Sequence, residues 1–502
     1  MSISRRSLSL ALISFIISAC STAAQTIYVD PNATGPTHDG LSWCSALIEL
    51  HQALALDPPA TEIHIADGTY LPDPGALADP RLATFRLEST VIIKGGYAGC
   101  GAVDPDAWDP LLYPTVLSGD LAGDDYLDSG APLRHTWPDN LLDNVYRVIY
   151  ASGPETYIYI TGVTICGGNG GSIYSGGGIY NNGAQLTLST SVLERNIGLQ
   201  GGGASSEAGW LSFIQCYIQH NRAIAWGGGL STWSTEVSIA NCLFFDNQAL
   251  SDGGAIYSDL SNVYLYNTTF ADNSSAGRGG ALYNYVGVGL NLQNSILWQN
   301  TDMNGGGESA QIYNNPSNYV EINHCSVEGW TGTYGGTGNI GDDPLFANPQ
   351  AANFSLSANS PCRDTGDNGA VYAQFDLAGQ PRVVNNVVDM GAYEYQGSSS
   401  VGPDYNHSEL RAQLLPISPN PIRHSGHIRF IAPMRESISI RIFDLCGRLV
   451  RDLGSGPARR GINSIEWNGR DEKGHQVPTG IYLVNLTPEG SSADYERIIY
   501  LR

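Results

Sequence analysis

Positive charge is scarce in this sequence. Lysine occurs only twice, as Lys94 and Lys473, and lysine and arginine together number 25 against 48 acidic residues, so the net charge is −23 at pH 7. A protein that binds nucleic acid needs a basic patch facing the phosphates. The charge balance therefore excludes nucleic acid as a partner and argues against polyanions in general.

Long apolar runs are also lacking, apart from a short one near the N-terminus. Two arginines precede an apolar run over residues 8–17, which is too short to span a bilayer and is typical of a secretion signal. Cleavage after residues 22–24 by a signal peptidase is favoured, and the alternative is a lipidation motif at residues 17–20 that would modify Cys20. No later segment could cross a membrane, so we expect an exported chain that has lost residues 1–24.

What the sequence does contain is a repeat, written five times between residues 175 and 300. A glycine-led segment recurs every 25 or 26 residues as GGGIY (176–180), GGGAS (201–205), GGGLS (227–231), GGAIY (253–257) and GGALY (279–283). Asparagines recur with it at Asn196, Asn221, Asn247, Asn273 and Asn300. Three apolar columns keep the same step: Leu186, Leu211, Val237, Val263, Leu290; Leu188, Phe213, Ile239, Leu265, Leu292; and Leu193, Ile218, Phe244, Phe270, Leu297. Such regularity predicts a repeat protein.

The residue types predict the architecture of the repeat. Apolar residues two apart, β-branched and aromatic enrichment and breaks at Gly or Asn are typical of short strands. One such unit cannot bury its apolar side alone, whereas stacked copies build a continuous core. We therefore predict an all-β fold based on a parallel β-helix. The Gly pair suits a crowded corner, and the Asn column suits another corner, because Asn tolerates the left-handed conformation and its stacked amides can form a ladder.

Two stretches resemble known exported proteins. The pattern GGA[IL]…FxxN resembles the repeat of chlamydial polymorphic outer-membrane proteins, which implies a right-handed, pectate-lyase-like solenoid. The segments IYVDPNATG, DGLSWCSALIELHQALA and EIHIADGTY within residues 26–70 resemble the start of bacterial secreted β-helix proteins. Within residues 25–60 we predict a helix with Ser42 as N-cap that covers the first coil. Its apolar face comprises Trp43, Leu47, Leu50 and Leu54.

The C-terminal third divides into three parts. Residues 339–396 carry NIGDDPLFAN, FSLSANSPCRDTGDNG and DLAGQPRVVNNVVDMGAYEY and resemble the choice-of-anchor Q region that closes many exported β-helices. We therefore predict a solenoid over residues 25–396, regular over 176–300. After a polar linker at 397–412, residues 413–502 contain about seven short strand patterns with turn signals, typical of a small Ig-like β-sandwich.

That last part resembles the FlgD-like Ig domain and the C-terminal sorting domain of type IX secretion. The matching residues are Pro419-Asn420-Pro421, Asp444, Gly447-Arg448, Trp467-Asn468-Gly469-Arg470-Asp471, Gly474, Gly480-Ile481-Tyr482 and Leu501-Arg502. The resemblance implies a chain that the secretion machinery delivers to the extracellular space or outer-membrane surface of a Gram-negative bacterium. A plain spacer sandwich is the alternative.

Loss of Cys20 with the signal leaves eight of the nine cysteines in the exported chain. They allow disulfides whose connectivity the sequence does not reveal. We expect a bridge between Cys44 and Cys100, and none at Cys446. Cys216 and Cys242 share one column, one coil apart, at a separation compatible with a disulfide. We favour two free, buried thiols there, because Ser and Thr occupy the same column in the other repeats.

Four aspartates in residues 120–128 partly match a calcium-binding loop. They are Asp120, Asp124, Asp125 and Asp128. Ala122 and Ala131 stand at two ligand positions of such a loop, and Asp125 replaces its glycine. We expect a solvated acidic loop, with bound calcium as the alternative, and otherwise no cofactor or metal.

The residues of known β-helix enzymes are missing. Arg195, Arg222 and Arg278 lie in different columns, so they cannot converge on a uronate carboxylate. The runs of a polygalacturonase-type glycosidase, which pair close aspartates with a histidine and basic residues, are absent. Asp246 and Asp272 do share a column with His220, one coil apart, but we expect them to face water. We predict no catalytic residues.

Tryptophans give the better functional signal. Trp210, Trp226, Trp233, Trp298 and Trp330 lie in or near the breaks between strands. Aromatic faces in a neutral or acidic groove suit stacking on uncharged sugars, although packing in turns explains such residues more often. Our candidate glycan-binding residues are Trp226, Trp233 and Trp298.

Two function classes remain. The first is a monomeric, non-enzymatic surface or secreted protein that binds or adheres to a glycan or surface ligand through its solenoid. The second is a carbohydrate-active enzyme, a polysaccharide lyase or glycoside hydrolase, with an unfamiliar site. The missing motifs, the scarce cations and the sorting tail favour the first.

Overall fold

The computed structural model describes residues 26–56, 59–125, 141–286, 289–397, 413–414, 422, 426–432, 437–444, 448–457, 461–488 and 494–500. The secretion signal, nearly all of the linker, Asp128, Cys446 and the terminal Leu501-Arg502 lie outside these ranges. The chain divides into two compact units, of which the first contains a solenoid and the second a small β-sandwich.

Three long parallel sheets surround the core of the solenoid, and strands pair with the equivalent strands of the next coil. Sheet 1 has ten strands: Thr26–Val29, Glu62–Ala66, Val91–Tyr97, Tyr157–Thr161, Gln185–Ser189, Trp210–Ile214, Glu236–Ala240, Asn262–Tyr266, Gly289–Gln293 and Val320–Asn323. Sheet 2 has eight: Phe85–Leu87, Ile149–Ser152, Ile179–Asn182, Ala204–Glu207, Leu230–Trp233, Ile256–Asp259, Leu282–Asn284 and Ile312–Asn314. The predicted parallel β-helix is confirmed.

Sheet 3 has nine strands: Gly68–Tyr70, Thr115–Ser118, Val163–Cys166, Val192–Glu194, Tyr217–Gln219, Leu243–Phe245, Thr269–Ala271, Ile296–Trp298 and Ser326–Val327. A fourth, narrow sheet pairs Ile197–Gly198, Arg222–Ala223, Gln248–Ala249 and Ser274–Ser275. The strands are short because each coil must turn at every corner within a repeat of about 26 residues.

The predicted apolar columns are confirmed as the inner faces of these sheets. Val237 pairs with Val263 and Ile239 with Leu265 in adjacent strands of sheet 1. In sheet 3 the rings of two neighbouring phenylalanines, Phe244 and Phe270, stack with centroids 4.9 Å apart. All of these side chains are buried in one core cluster that extends along the solenoid.

The glycine corner has two separate requirements. Gly201 has φ +60, a conformation that side-chain-bearing residues rarely adopt. A Cβ at the next residue, Gly202, would lie 2.3 Å from the carbonyl oxygen of Arg222 in the following coil. The first glycine of each pair therefore makes the turn, and the second lets adjacent coils approach.

The asparagine ladder is confirmed, with one correction. Asn247 donates from Nδ2 to Oδ1 of Asn273 at 2.9 Å, and Asn273 donates to Asn300 at 2.8 Å. The asparagines themselves do not adopt the left-handed conformation; the residue before each one does, as at Asp246 (φ 48) and Asp272 (φ 54). The side chain of each ladder asparagine faces the inside of the solenoid and bonds the next coil. The residue before it therefore adopts the left-handed conformation that turns the chain at this corner.

The N-terminal end of the solenoid differs in detail from the prediction. A 3₁₀ helix, Trp43–Ser45, and a separate α-helix, α1 (Leu50–Leu54), replace the single helix expected. Ser42 makes no capping hydrogen bond with its side chain. Glu49 caps α1, and Leu50 is buried in the core cluster that also contains the first strand.

Other helical elements are equally short. They are α2 (Glu308–Gln311) and the 3₁₀ helices Pro80–Leu82, Pro349–Ala351 and Asn368–Ala370.

The Cys44–Cys100 disulfide is confirmed, with Cα atoms 4.9 Å apart. Cys216 and Cys242 are free and buried, and the Cys216 backbone N–H donates to Sγ of Cys242 at 3.4 Å.

The solenoid is shorter than predicted, because its last parallel strand ends at Val327. Residues 339–396, here called the return segment, pack on the outer face of sheet 3 instead of adding coils. Leu243 and Ala271 of sheet 3 form an apolar cluster with residues of the return segment. The clustered residues of the segment are Phe354, Leu377, Ala392 and Tyr393. The segment contains an antiparallel pair, Phe346–Asn348 and Asn353–Leu356.

The second unit is an antiparallel β-sandwich with the seven strands predicted. One sheet pairs Gln413–Leu414, Gly426–Ala432 and Gly461–Trp467, and the other pairs Leu449–Pro457, Ser437–Asp444, Gly480–Pro488 and Asp494–Tyr500. Trp467 and Tyr500 are fully buried in its core. Trp467 also donates from Nε1 to the carbonyl of Arg470 at 3.0 Å, so the WNGRD motif serves the packing of this unit.

Candidate functional site

The outer face of sheet 2 carries a row of aromatic rings, one per coil. Trp226 stacks on Tyr257 with centroids 5.5 Å apart, Tyr257 stacks on Tyr283 at 5.4 Å, and Tyr283 stacks on Tyr313 at 4.8 Å. Tyr285 lies beside this row, 6.3 Å from Tyr283. The three tyrosines align because they occupy outward positions of equivalent strands, and Trp226 extends the row from the turn before its strand.

Trp233 lies on the same face and is largely exposed. Its relative accessibility is 52%, and it pairs in register with Glu207 on one side and Asp259 on the other. Burial, together with the charge and hydrogen bond of Glu207, raises the pKa of Tyr180 to about 12. The centre of this face is thus aromatic and acidic, which suits an uncharged ligand better than an anionic one.

Arginines lie at both ends of the face and contact tyrosine rings. The Arg147 guanidinium lies 3.9 Å from the ring centroid of Tyr180, and that of Arg278 lies 5.0 Å from Tyr313. These are cation–π contacts. The coils that carry Glu207 and Trp233 lie between these two arginines.

The structure brings together two of the three predicted glycan-binding residues. Trp233 ends a strand of sheet 2, and Trp226 precedes that strand and stacks on Tyr257 of the outer face. Trp298 belongs to sheet 3 and packs on the return segment. Trp330 packs against the solenoid core. Sequence reasoning missed the tyrosines, although Tyr257 and Tyr283 follow the glycine pairs at a constant offset.

The acidic column of sheet 3 is half-buried rather than solvated. Nδ1 of His220 lies 2.8 Å from Oδ2 of Asp246, and Asp246 also accepts a hydrogen bond from Gln248 at 3.1 Å. Burial and the negative charges of Asp246 and Glu328 raise the pKa of Asp272. The side chains of this column are therefore partly exposed, with 19% and 21% of the His220 and Asp246 side chains accessible.

The acidic loop brings three of its carboxylates together. Oxygens of Asp120, Asp124 and Asp125 lie within 4.8 Å of one another, the only such acidic, histidine or cysteine group among the described residues. Burial and the neighbouring aspartates raise the pKa of Asp125 to about 7, against the hydrogen bond from Asn144. Calcium takes six to eight oxygen ligands, so these residues alone could supply only part of a calcium site.

A polar cavity, which the sequence did not suggest, lies between the outer face of sheet 1 and the return segment. Its volume is about 350 Å³. It is lined by Tyr266, Asn291, Gln293, Glu321, Asn323, His324, Thr337, Asp367 and Ala370. The first five come from outward positions of the last three strands of sheet 1, and the last two come from the return segment.

Known families match two parts of the chain. Residues 431–492 match the FlgD Ig-like domain, and residues 241–259 and 267–285 match the Chlamydia polymorphic membrane protein repeat. Both matches fall where the residue patterns had placed these resemblances. No curated protein matches the chain significantly.

Several solved structures match a small part of the chain. Among them are dimeric latent PorU and PorZ, both from Porphyromonas gingivalis, the latter described as a surface component of the type IX secretion system. Each is 26% identical over 18% of this chain, covering 9% of PorU and 11% of PorZ, with TM-scores of 0.17 and 0.14. The match thus spans about a tenth of either protein.

Within the described ranges, no helix has the length and apolar character needed to cross a membrane. The strand topology and the two family matches agree on the organisation of the chain. This is a parallel β-helix protein with polymorphic-membrane-protein repeats and a C-terminal FlgD-like Ig domain.

Proposed function

We propose that this is a secreted or cell-surface protein that binds an uncharged glycan along the outer face of sheet 2, without cleaving it. The observation that carries the proposal is the exposed Trp233 beside a row of stacked rings, with carboxylates and no lysine in between. Sugar rings present apolar C–H faces that pack on aromatic rings and hydroxyls that bind carboxylates. A row repeating every coil suits a polymer that lies along the axis.

The negative charge of the chain supports a neutral ligand. A uronate or sulfated glycan would meet Glu207 and Asp259 at the centre of the face and a net charge of −23 overall. Like charges at an interface disfavour binding and slow encounter. We therefore expect neutral polysaccharides to bind more tightly than pectate or other polyuronates.

Replacement of Trp233 tests this proposal directly. In affinity electrophoresis through gels that contain neutral polysaccharides, Trp233→Ala should lose the retardation that the wild-type chain shows. Tyr159→Ala, an outward aromatic on sheet 1, is the matched control and should remain retarded. Equal retardation of wild type and Trp233→Ala would refute binding at this face.

The second unit is proposed to act as a sorting module for export. Its fold is self-contained and its sequence matches the FlgD Ig-like domain, which supports a role separate from that of the solenoid. Deletion of residues 413–502 should leave the solenoid folded, with an unchanged β-type circular dichroism spectrum, but abolish surface display. Display of the truncated chain at wild-type levels would contradict the sorting role.

An enzymatic function has one structural feature in its favour. Asp246 and Asp272 lie in adjacent coils, His220 contacts the first, and the pKa of the second is raised. Two carboxylates with different proton affinities are what a glycosidase needs. The double variant Asp246→Asn/Asp272→Asn separates this alternative from binding alone, since only an enzyme would lose product formation.

A further inference from the structure

We infer that the polar cavity between sheet 1 and the return segment is a second binding site, for a single neutral pyranose unit. This site is separate from the aromatic face of sheet 2 and does not depend on it. Its volume of about 350 Å³ falls at the small end of ligand pockets, which span roughly 300–1,000 Å³. One or two sugar units fit such a space.

The lining offers donors and acceptors in the mixture that a polyol requires. Amide groups come from Asn291, Gln293 and Asn323, and carboxylates come from Glu321 and Asp367. The carboxylate of Glu321 already orients two of the amides, accepting from Asn291 at 3.0 Å and from Asn323 at 3.1 Å. Polar groups held in this way are preorganised for hydroxyls.

One acceptor in the cavity is left unsatisfied. Oδ1 of Asn291 is buried and has no hydrogen-bond partner among the described residues. An unpaired buried acceptor destabilises the structure, and a sugar hydroxyl would satisfy it. The preceding coil has Tyr264 at this register position and the two coils before it have Ser238 and Ser212, so the fold does not require an amide there.

An aromatic wall completes the site. The ring of Tyr266 lines the cavity and lies against that of Tyr372 in the return segment, with centroids 4.1 Å apart. Tyr266 thus supplies the aromatic part of a lining that is otherwise almost wholly polar. A pyranose, which has a rim of hydroxyls and a small apolar face, matches this lining.

Other ligand classes fit less well. The lining contains carboxylates and no lysine or arginine, which disfavours uronates, phosphates and sulfates. A divalent cation needs several converging oxygens. Among the described residues, however, the one tight group of potential ligands lies at Asp120, Asp124 and Asp125, away from this cavity.

The test uses the full exported chain and four probes: the methyl pyranosides of glucose, galactose and mannose, and N-acetylglucosamine. Binding is measured by saturation-transfer NMR and titration. We expect at least one probe to bind, and the variant Asn291→Ser/Gln293→Ala to weaken it about tenfold or more, since two hydrogen-bonding groups are lost. Both replacements copy residues found at these positions in other coils, Ser238 and Ala240.

Two controls keep the outcome specific. Thr187→Ser lies in the column of Asn291 but four coils away, and Trp233→Ala removes the aromatic of sheet 2; both should bind the probe as the wild type does. Binding of none of the probes, or equal binding by the double variant, overturns the inference. Loss of probe binding in Trp233→Ala also overturns it, because the monosaccharide would then occupy the sheet 2 face.

Discussion

The side-chain amide of Gln215 donates a 2.8 Å hydrogen bond to the backbone carbonyl of Asp376, 161 residues later in the chain. Equivalent corner residues in later coils do the same: Asn241 donates to Phe375, Asn267 to Asp389 and Asn294 to Asp367. One column of polar side chains thus anchors the return segment along four coils. The segment covers sheet 3 and meets sheet 1 at the polar cavity. The outer face of sheet 2 remains as the candidate surface for a polymeric glycan.

The return segment depends on a buried arginine. Arg382 is 1% exposed, donates to the carbonyls of Asp389 and Gly391 at 2.8 and 2.9 Å, and lies 3.7 Å from Glu394. Arg382→Met would leave buried carboxylates without a compensating charge. Breaking a buried pair typically costs about 3–5 kcal/mol, so we expect the segment to detach.

Limited proteolysis measures that detachment. The variant Arg382→Met should be cleaved within residues 339–396 under conditions that leave the wild type intact. Arg86→Met removes an exposed ion pair to Glu88 and serves as the control. Its stability should fall by at most about 1 kcal/mol. Equal protease resistance of all three proteins would show that Arg382 is not needed to hold the segment in place.

The core column predicts a large effect at one phenylalanine. Phe244 is fully buried and stacks on Phe270, so Phe244→Ala should lower the free energy of unfolding by about 3–5 kcal/mol. Urea denaturation followed by circular dichroism measures the change. Ser238→Ala, at an outward position of sheet 1, should change it by no more than about 0.5 kcal/mol. A surface-like value for Phe244→Ala would contradict the register.

The asparagine ladder predicts a loss of stability when its buried hydrogen bonds are removed. Asn247 accepts from the backbone and side chain of Asn221 and donates to Asn273 and to the carbonyl of Ile218. Asn247→Ala leaves these buried groups unpaired, and each unpaired group costs about 1–3 kcal/mol. We therefore expect the free energy of unfolding to fall by more than about 3 kcal/mol. The exposed Asn182→Ala is the comparison in the same urea series. If both replacements cost equally little, the ladder does not stabilise the solenoid.

The acidic loop predicts a pH dependence. The pKa of Asp125 is about 7 in the folded chain and about 3.9 in an unfolded one. A raised folded pKa stabilises the fold fully below pH 4, and this contribution is lost as the pH rises through 7. Asp125→Asn should remove that dependence, so its midpoint of thermal unfolding should exceed the wild-type value more at pH 8 than at pH 5.

The same pair of proteins tests the calcium alternative. Deprotonated Asp125 is a better cation ligand, so added calcium at pH 8 would raise the wild-type midpoint and leave that of Asp125→Asn unchanged if the loop binds it. If calcium changes the unfolding midpoint of neither protein, the loop is a solvated acidic loop that does not bind calcium.

The repeat made most of the solenoid predictable. Equivalent residues such as Val237 and Val263 align because stacking allows one register, and a slip by one residue would turn every core side chain outward. The left-handed corners were misassigned because the turning residues, such as Arg195 and Gln299, share no chemistry that marks them.

The return segment could not be predicted from the pattern. Its contacts join residues more than a hundred positions apart, such as Asn267 and Asp389, and no periodicity links them. The polar cavity follows from that packing, so Asn291 and Glu321 looked like ordinary outward residues of sheet 1. The tyrosine row of sheet 2, by contrast, is visible in the repeat, because Tyr257 and Tyr283 follow the glycine pairs at a constant offset. The prediction of glycan-binding residues considers tryptophans only and so omits it.

Incubation of the purified chain with a panel of neutral polysaccharides is the most direct test of binding without cleavage. Retention on the polysaccharide and release of reducing ends are measured together for the wild type, Trp233→Ala and Asp246→Asn/Asp272→Asn. If the protein binds a neutral glycan at sheet 2 without cleaving it, the wild type and the double variant should be retained and Trp233→Ala should not. None of the three should release reducing ends. Release of reducing ends by the wild type that disappears in the double variant would contradict this expectation and place an active site in the acidic column.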